Sequence, residues 1–534
     1  MHGMADITSP TSRPSGRDKD GSGGFSANAR VTGPTRNRYA SAASNVSPAA
    51  YQLEKLMPSR STVFLLLVFS FSAFSTKGSQ ESETERTLVL DGGNLFDGRG
   101  GPVQTDPRIV VTGEAIVCVG NAESCPAPDG ARRIELDNGS WILPGLVDAH
   151  VHFGQTGWFD GRPSSLDFPE LFPYEQTMAR QKSQPERYFR AYLCSGVTAV
   201  FDTGGYPWSL DFKAAAEHNP RAPHVAAAGP RITHAPPAAL NLSAEQQYLL
   251  LSDEEAGRAA VRFMAAFGAD AIKVWFLRVR EQEREAIDSR VAAVADEAAA
   301  RGLPLIVHAT SLREAKVALH AGAHLLVHGV DDQLVDEEFL SLAREKGTIY
   351  TPTLLVSDGY RRMFEAVKRV SKPELDDPNR CVDEGTRQMI LSSPELYNHP
   401  SVRAFDQDLK AYRERLDAVY VRKVENLRRV HEAGIPIALG TDAGNPGTLH
   451  GPSIYAELEA MQAAGIEPAE LLVMATRNGA RAMGREDIGT IAAGNVADII
   501  IVSKNPLEDV KHLRHISHVM RAGKLHRIEE LARP

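Results

Sequence analysis

Two histidines one residue apart, His150 and His152, end the run Gly145-Leu-Val-Asp-Ala-His150-Val-His152. In an extended strand alternate side chains share a face, so both imidazoles would project the same way. Two ligands of one metal ion need that arrangement, although an HxH pair alone also occurs as ordinary buried histidine. Lys273 stands in the apolar run Gly268-Ala-Asp-Ala-Ile-Lys273-Val-Trp. A buried ammonium is costly unless it is neutralised or modified. Lys273 could snorkel to a rim or pair with Asp442. Carboxylated by CO2, it would become an anionic carbamate able to bridge two cations. His308 ends Leu303-Pro-Leu-Ile-Val-His308, His328 ends His324-Leu-Leu-Val-His328, and Asp442 ends Ile437-Ala-Leu-Gly-Thr-Asp442. Imidazole and carboxylate are the ligand types of zinc and neighbouring divalent ions. Four His, one Lys and one Asp in this order point to a metal site that activates water.

The elements that must position these residues alternate in type. Strand-like apolar runs are expected at Ile142–His152, Val197–Asp202, His224–Ala228, Ala271–Phe276, Leu305–Ala309, Leu325–Gly329, Ile349–Leu354 and Ile437–Thr441. Amphipathic helical runs lie between most of them, for example Asp253–Phe267, Glu285–Arg301 and Ser311–Ala321. Repeated β-then-α units imply parallel strands, and eight such strands close naturally into a (β/α)8 TIM barrel. Every candidate ligand then falls at the carboxyl end of a strand, the catalytic face of such barrels. The barrel is expected over 145–484. Its long charged segment 356–434, between the seventh and eighth strands, reads as a lid-like insertion. Short β-rich runs with Gly turns occur at both ends, over 86–144 and 485–530, and are expected to form one composite β-sandwich domain.

The motifs GLVDAHVHFG, GVTAVFDTG, GADAIKVW, LIVHA, HLLVHG, GTDAG and ATRNGARAMGREDIGTIAAGNVADIIIV together resemble the amidohydrolase superfamily, covering the chain from about residue 87 to 525. The layout is most similar to the prolidase-like and imidazolonepropionase-like metal-dependent hydrolases, including relatives that cleave aryl amides such as ochratoxin. By that resemblance, His150, His152 and Asp442 would hold one divalent ion and His308 and His328 a second, with zinc the expected metal. Carboxylated Lys273 and a hydroxide would bridge the two ions. Asp442 would be the catalytic base, relaying the proton to the leaving amine. His234, in GPRITHAPP, occupies a place where relatives put a substrate- or oxyanion-contacting His. Deaminase-type relatives carry a Glu three residues beyond the fifth-strand His; here that residue is Ser311.

The resemblance therefore implies a hydrolase of a peptide-like or N-acyl amino acid amide bond, acting through a metal-bridging hydroxide on a small-molecule or dipeptide-like substrate. The second reading is a cyclic-amide hydrolase of the imidazolonepropionase type. The third is a metal-free scaffold of the same fold, against which the intact ligand set argues. The resemblance also allows a homo-oligomer. The loop after the fourth strand, Trp275-Phe-Leu-Arg278-Val-Arg280, differs from the Gly-rich loop of prolidase-like relatives. Its arginines could meet a substrate carboxylate or be surface charge at a helix start.

Bulk composition narrows the field further. Net charge is −9 and no basic stripe is evident, which argues against nucleic acid. Residues 1–56 are rich in Ser, Gly, Pro, Asn and Arg without apolar periodicity and read as a disordered extension. The apolar run Val63 to Phe74 follows Arg60 and is too short to span a bilayer, which needs about 20 residues. Segment 57–78 thus reads as a signal peptide or anchor, with Met57 a candidate start, and implies export to a periplasm or beyond the cell. If that segment is not used so, the chain would be membrane-anchored or cytoplasmic. Of the four cysteines, Cys118 and Cys125 are near enough to bridge in an oxidising compartment, or are two small hydrophobes.

Overall fold

The structure, a computed structural model, describes residues 87–532 except 163–165, 167, 238–239, 243 and 406–407. The expected extension and leader segment lie outside these residues. No helix among the described residues is long and apolar enough to cross a membrane.

The chain enters through β1 (Thr87–Leu95), β2 (Gln104–Thr105), β3 (Arg108–Thr112), β4 (Ala115–Gly120) and the long β5 (Arg132–Pro144). Parallel strands follow: β6 (Leu146–Val151), β7 (Val197–Asp202), β8 (His224–Ala227), β9 (Arg231–Thr233), β10 (Tyr248–Leu250), β11 (Ile272–Trp275), β12 (Leu305–His308), β13 (Leu325–Val327) and β14 (Ile349–Thr351). The chain leaves through β15 (Ile499–Val502), β16 (Ile516–Arg521) and β17 (Lys524–Arg527). Both ends meet in one mixed sheet, ordered β17-β16-β15-β5-β1-β3-β4. One of its faces buries Leu88, Leu90, Ile109, Val111, Ile499 and Ile501. The expected sandwich is therefore a single sheet as far as the described strands go.

The parallel strands form two sheets, β6-β7-β8 and β10-β9-β11-β12-β13-β14. They are buried throughout or nearly so, as parallel strands covered by helices should be. The expected eighth strand, Ile437–Thr441, is not a regular ladder. It touches β14 through a bridge at Tyr350 and Ile437, and β6 through one at Val151 and Ala443. Backbone bonds Ala438 N to Tyr350 O (3.0 Å), Ala149 N to Leu439 O (2.9 Å) and Asp442 N to His150 O (2.7 Å) hold it between them. The fold is thus TIM-barrel-like α/β, with regular pairing interrupted where ligand-bearing residues turn out of the strands. Gly440 explains the tight seam. A Cβ there would lie 2.5 Å from Thr351 Cγ2 and 2.7 Å from His150 Cβ, so only glycine lets this segment close against β6.

The segment between β14 and residue 437 is helical over Val356–Val367, Glu384–Leu391, Pro400–Ala404 and Leu409–Glu432. A disulfide, Cys194–Cys381, with Cα atoms 5.5 Å apart, fastens it to the end of the helix Glu186–Cys194. Cys118 and Cys125 also pair, resolving the choice that their spacing leaves open.

Candidate metal centre

The strand ends gather the expected residues. His150 lies in β6 and His152 just beyond it; Lys273 lies in β11, and His308 ends β12. His328 follows β13 directly, and Asp442 follows the irregular seam strand. The His152 Nε2 is 2.9 Å and the His150 Nε2 3.4 Å from Asp442 Oδ1. Donor atoms of His150, His328 and Asp442 all lie within 4.8 Å of one another. The His308 and His328 rings are 4.4 Å apart, and those of His150 and His328 4.9 Å. Lys273 pairs with Ile306 across β11 and β12, two residue pairs before Trp275 and His308.

Burial gives this cluster its electrostatics. It drives the imidazoles of His150, His308 and His328 well below the ordinary histidine range, which keeps them neutral and able to donate a lone pair. Burial also pushes the Lys273 amine far below its usual value, with Arg231 adding to the effect. Burial works to raise the Asp442 carboxyl, but the basic side chains against it, with His152 at hydrogen-bond distance, hold it below the carboxylate range. Both ring nitrogens of His150 and the Nζ of Lys273 are buried without a hydrogen-bond partner. Orphaned polar groups of this kind are costly and rare, and here they converge on one another. A set of buried imidazoles, a carboxylate and an amine pushed towards its neutral form fits divalent cations.

Backbone strain marks the same place. His328, Thr353 and Asp442 adopt φ of 77°, 43° and 56°, a region that non-glycine residues rarely enter. Such conformations persist where the surroundings over-determine them, and they concentrate at functional sites.

Several supporting groups carry no signal in the ligand motifs. Asp148 is fully buried, two residues before His150 on the same face of β6. It accepts hydrogen bonds from Thr441 N (2.9 Å), Thr441 Oγ1 (2.6 Å) and His150 N (3.3 Å), joining the seam strand to the HxH strand. Burial lifts its carboxyl to about 7 despite those bonds. Arg231 Nη2 is 3.0 Å from His152 Nδ1, and its Nη1 donates to Gln247 Oε1 at 2.8 Å. Gly204 O lies 2.8 Å from that same Nδ1. The two contacts ask for opposite tautomers: Arg231 only donates and needs Nδ1 as an acceptor, whereas an Nδ1–H given to Gly204 O leaves Nε2 free to bind metal. On the far side, Thr353 Oγ1 lies 2.8 Å from His328 Nδ1.

The weaker candidates fall elsewhere. His234 follows β9, half-buried, its ring 6.3 Å from that of Phe276; its charged neighbours are Glu283 and Arg290. Trp275 packs between Tyr248 and His308. Arg278 donates to Asp331 (2.7 Å) and exposed Arg280 to Glu283 (2.8 Å), as surface charge would. His450 is buried against Tyr188 and reaches His152 O at 3.1 Å, bracing the backbone of a ligand. Ser311 caps the helix Leu312–His320, accepting from Glu314 N, so it fills a structural post where deaminases keep an acid.

Comparison with known proteins places this geometry. The model of the Amidohydrolase family matches residues 141–526. Ochratoxinase of Aspergillus niger is 24% identical over 481 residues, covering 83% of this chain and 87% of the relative. The crystal structure of the A. niger enzyme superposes with a TM-score of 0.61 over 83% of this chain and 96% of its own, at 21% identity. A crystal structure of a Xaa-Pro dipeptidase with methionine bound in its active site superposes with a TM-score of 0.61 at 25% identity, covering 83% of this chain and 100% of its own. Imidazolonepropionase of Shouchella clausii is 35% identical, but over 105 residues, 19% of this chain and 23% of that protein.

Proposed function

Since this chain belongs to the amidohydrolase family, and is accordingly a hydrolase of carbon–nitrogen bonds, we propose that it cleaves a peptide-like or N-acyl amino acid amide with two divalent metal ions, zinc being the expected metal. His150, His152 and Asp442 would hold one ion, and His308 and His328 the other, with carboxylated Lys273 between them. The observation that carries this reading is Lys273: buried, its Nζ without a hydrogen-bond partner, its amine driven far below the usual value by burial and by Arg231, with Asp442 and Asp202 as acidic neighbours. A neutral amine is the form that attacks CO2. The carbamate it becomes, on loss of its proton to solvent, supplies the negative charge that two cations need.

Ions bound there would lower the pKa of water towards neutrality and polarise the scissile carbonyl. The protein supplies the rest. Asp442, held as a carboxylate, takes the proton as the water oxygen bonds to the carbonyl carbon. It then delivers that proton to the amide nitrogen as the C–N bond breaks, releasing acid and amine. The neutral imidazoles take no part in proton transfer; their buried rings exclude water from the far side. His234, which follows β9, is assigned to substrate contact on the resemblance alone. Coverage of 83% of the chain by both an ochratoxinase and a Xaa-Pro dipeptidase supports an acyclic amide. The short match to an imidazolonepropionase supports the cyclic-amide alternative more weakly.

The test is a panel of dipeptides, N-acyl amino acids and cyclic amides, given to enzyme stripped with chelator and reloaded with Zn2+. Turnover of the acyclic members only after reloading is expected. Turnover of cyclic amides alone moves the assignment to the second reading. Metal-independent turnover contradicts both.

A further inference from the structure

The helix Leu409–Glu432 belongs to the segment that sequence reading takes as a lid, yet its buried side chains reach the rear of the candidate metal centre. Lys423, 6% exposed, donates from Nζ to Thr353 O at 2.6 Å. Thr353 is the residue whose hydroxyl lies 2.8 Å from His328 Nδ1. Three residues on, the fully buried Asn426 holds the loop after His328: it donates to Val330 O (2.9 Å) and Gln333 O (3.0 Å) and accepts from Val335 N (2.9 Å). Gly329, next to His328, lies under Lys423 so closely that a Cβ there would be 2.9 Å from Lys423 Cε. On the other side of Thr353, Glu457 accepts from Leu354 N (2.6 Å) and Leu355 N (3.2 Å).

His328 and Thr353 are also two of the non-glycine residues with positive φ. Such strain relaxes unless neighbours hold it. The neighbours that hold this pair come from the helix Leu409–Glu432 and from Glu457. The backbone bonds His328 N to Thr351 O and Gly329 N to Pro352 O, both 2.9 Å, bind the two segments into one unit.

We propose that Lys423 is a positioning residue for the metal ion held by His308 and His328, acting through Thr353 to fix the His328 ring; this rests on the ligand set proposed above. The inserted segment then braces the metal centre from behind, whatever it does over the mouth.

The experiment measures Zn2+ affinity at equilibrium, with bound metal counted by elemental analysis, for the full chain and four variants. His328→Ala sets the scale for loss of the ligand itself. Lys423→Met should weaken the ion that His328→Ala loses by about 10–100-fold, a partial His328→Ala effect, and leave the other ion at wild-type affinity. Thr353→Ala should do the same and Thr353→Ser should restore binding; this pair decides the matter if Lys423→Met does not fold. Equal loss of both ions, or no loss in Lys423→Met and Thr353→Ala while His328→Ala loses metal, overturns the positioning role alone. Wild-type affinity in His328→Ala overturns the ligand reading and the positioning role with it.

Discussion

The two walls of the candidate metal centre carry the proposed ligands but are held differently. His150, His152 and Asp442 are fixed by neighbouring segments of the parallel layer itself: Asp442 N bonds to His150 O, His152 N to Ala443 O, and Asp148 ties Thr441 to the HxH strand. On the other wall, His308 ends a regular strand. His328 stands in a strained conformation that Thr353, and behind it Lys423, keep in place. The first wall comes with strand pairing. The second depends on a segment inserted between strands, so the two should respond differently to damage.

The largest effect is expected at the residue both roles share. Asp442→Asn removes a ligand charge and the proton acceptor together, so kcat should fall by about 10²–10⁴-fold in a chain that remains folded. Kinetics beside circular dichroism would check this; an unchanged kcat removes Asp442 from the chemistry. The disulfide comes next. Cys194→Ser frees the inserted segment and should cost about 2–5 kcal/mol in thermal unfolding. If the comparison holds, the ion on the His308 and His328 wall is also the first to be lost on warming.

Asp148→Asn tests the first wall. It halves the carboxylate's acceptors for Thr441 and His150, so the ion on His150, His152 and Asp442 should weaken by about 10–100-fold while the other keeps its affinity. Equal weakening of both would dissolve the distinction between the walls. The smallest effect is a pH slope. Burial lifts the Glu457 carboxyl from 4.5 to about 7. Between those values the folded chain holds a proton that the unfolded chain has released. Stability should therefore decline as pH rises through that window and level off above it, by at most about 1.4 kcal/mol per pH unit. Melting temperatures of wild type and Glu457→Gln from pH 5 to 8 should differ in slope, and parallel curves would count against it.

Residue types and face alternation made the buried cluster readable, because HxH in a strand and a lysine in an apolar run are statements about local geometry; its division into metal ligands rests on the resemblance. Strands β7, β8, β11 and β12 were readable for the same reason. Short β9 and β10 were not, since neither stands in a longer apolar run as the equally short β13 and β14 do, and the eighth strand is held by isolated bridges rather than a regular ladder. Thr353, Arg231 and Lys423 belong to distant elements, and nothing in their own neighbourhoods says what they meet. Asp148 was within reach, two residues before His150 on one face. Cys194 and Cys381 lie 187 residues apart, a separation that carries no pairing signal.

The central claim is a pair of ions gathered around a modified lysine. X-ray diffraction at the metal absorption edge, from crystals grown with Zn2+ and bicarbonate, addresses it directly. Two anomalous peaks are expected, one against His150, His152 and Asp442 and one against His308 and His328, with density for a carboxylate on the Lys273 nitrogen reaching both. A bare Lys273 amine with no metal peak beside it would contradict the assignment.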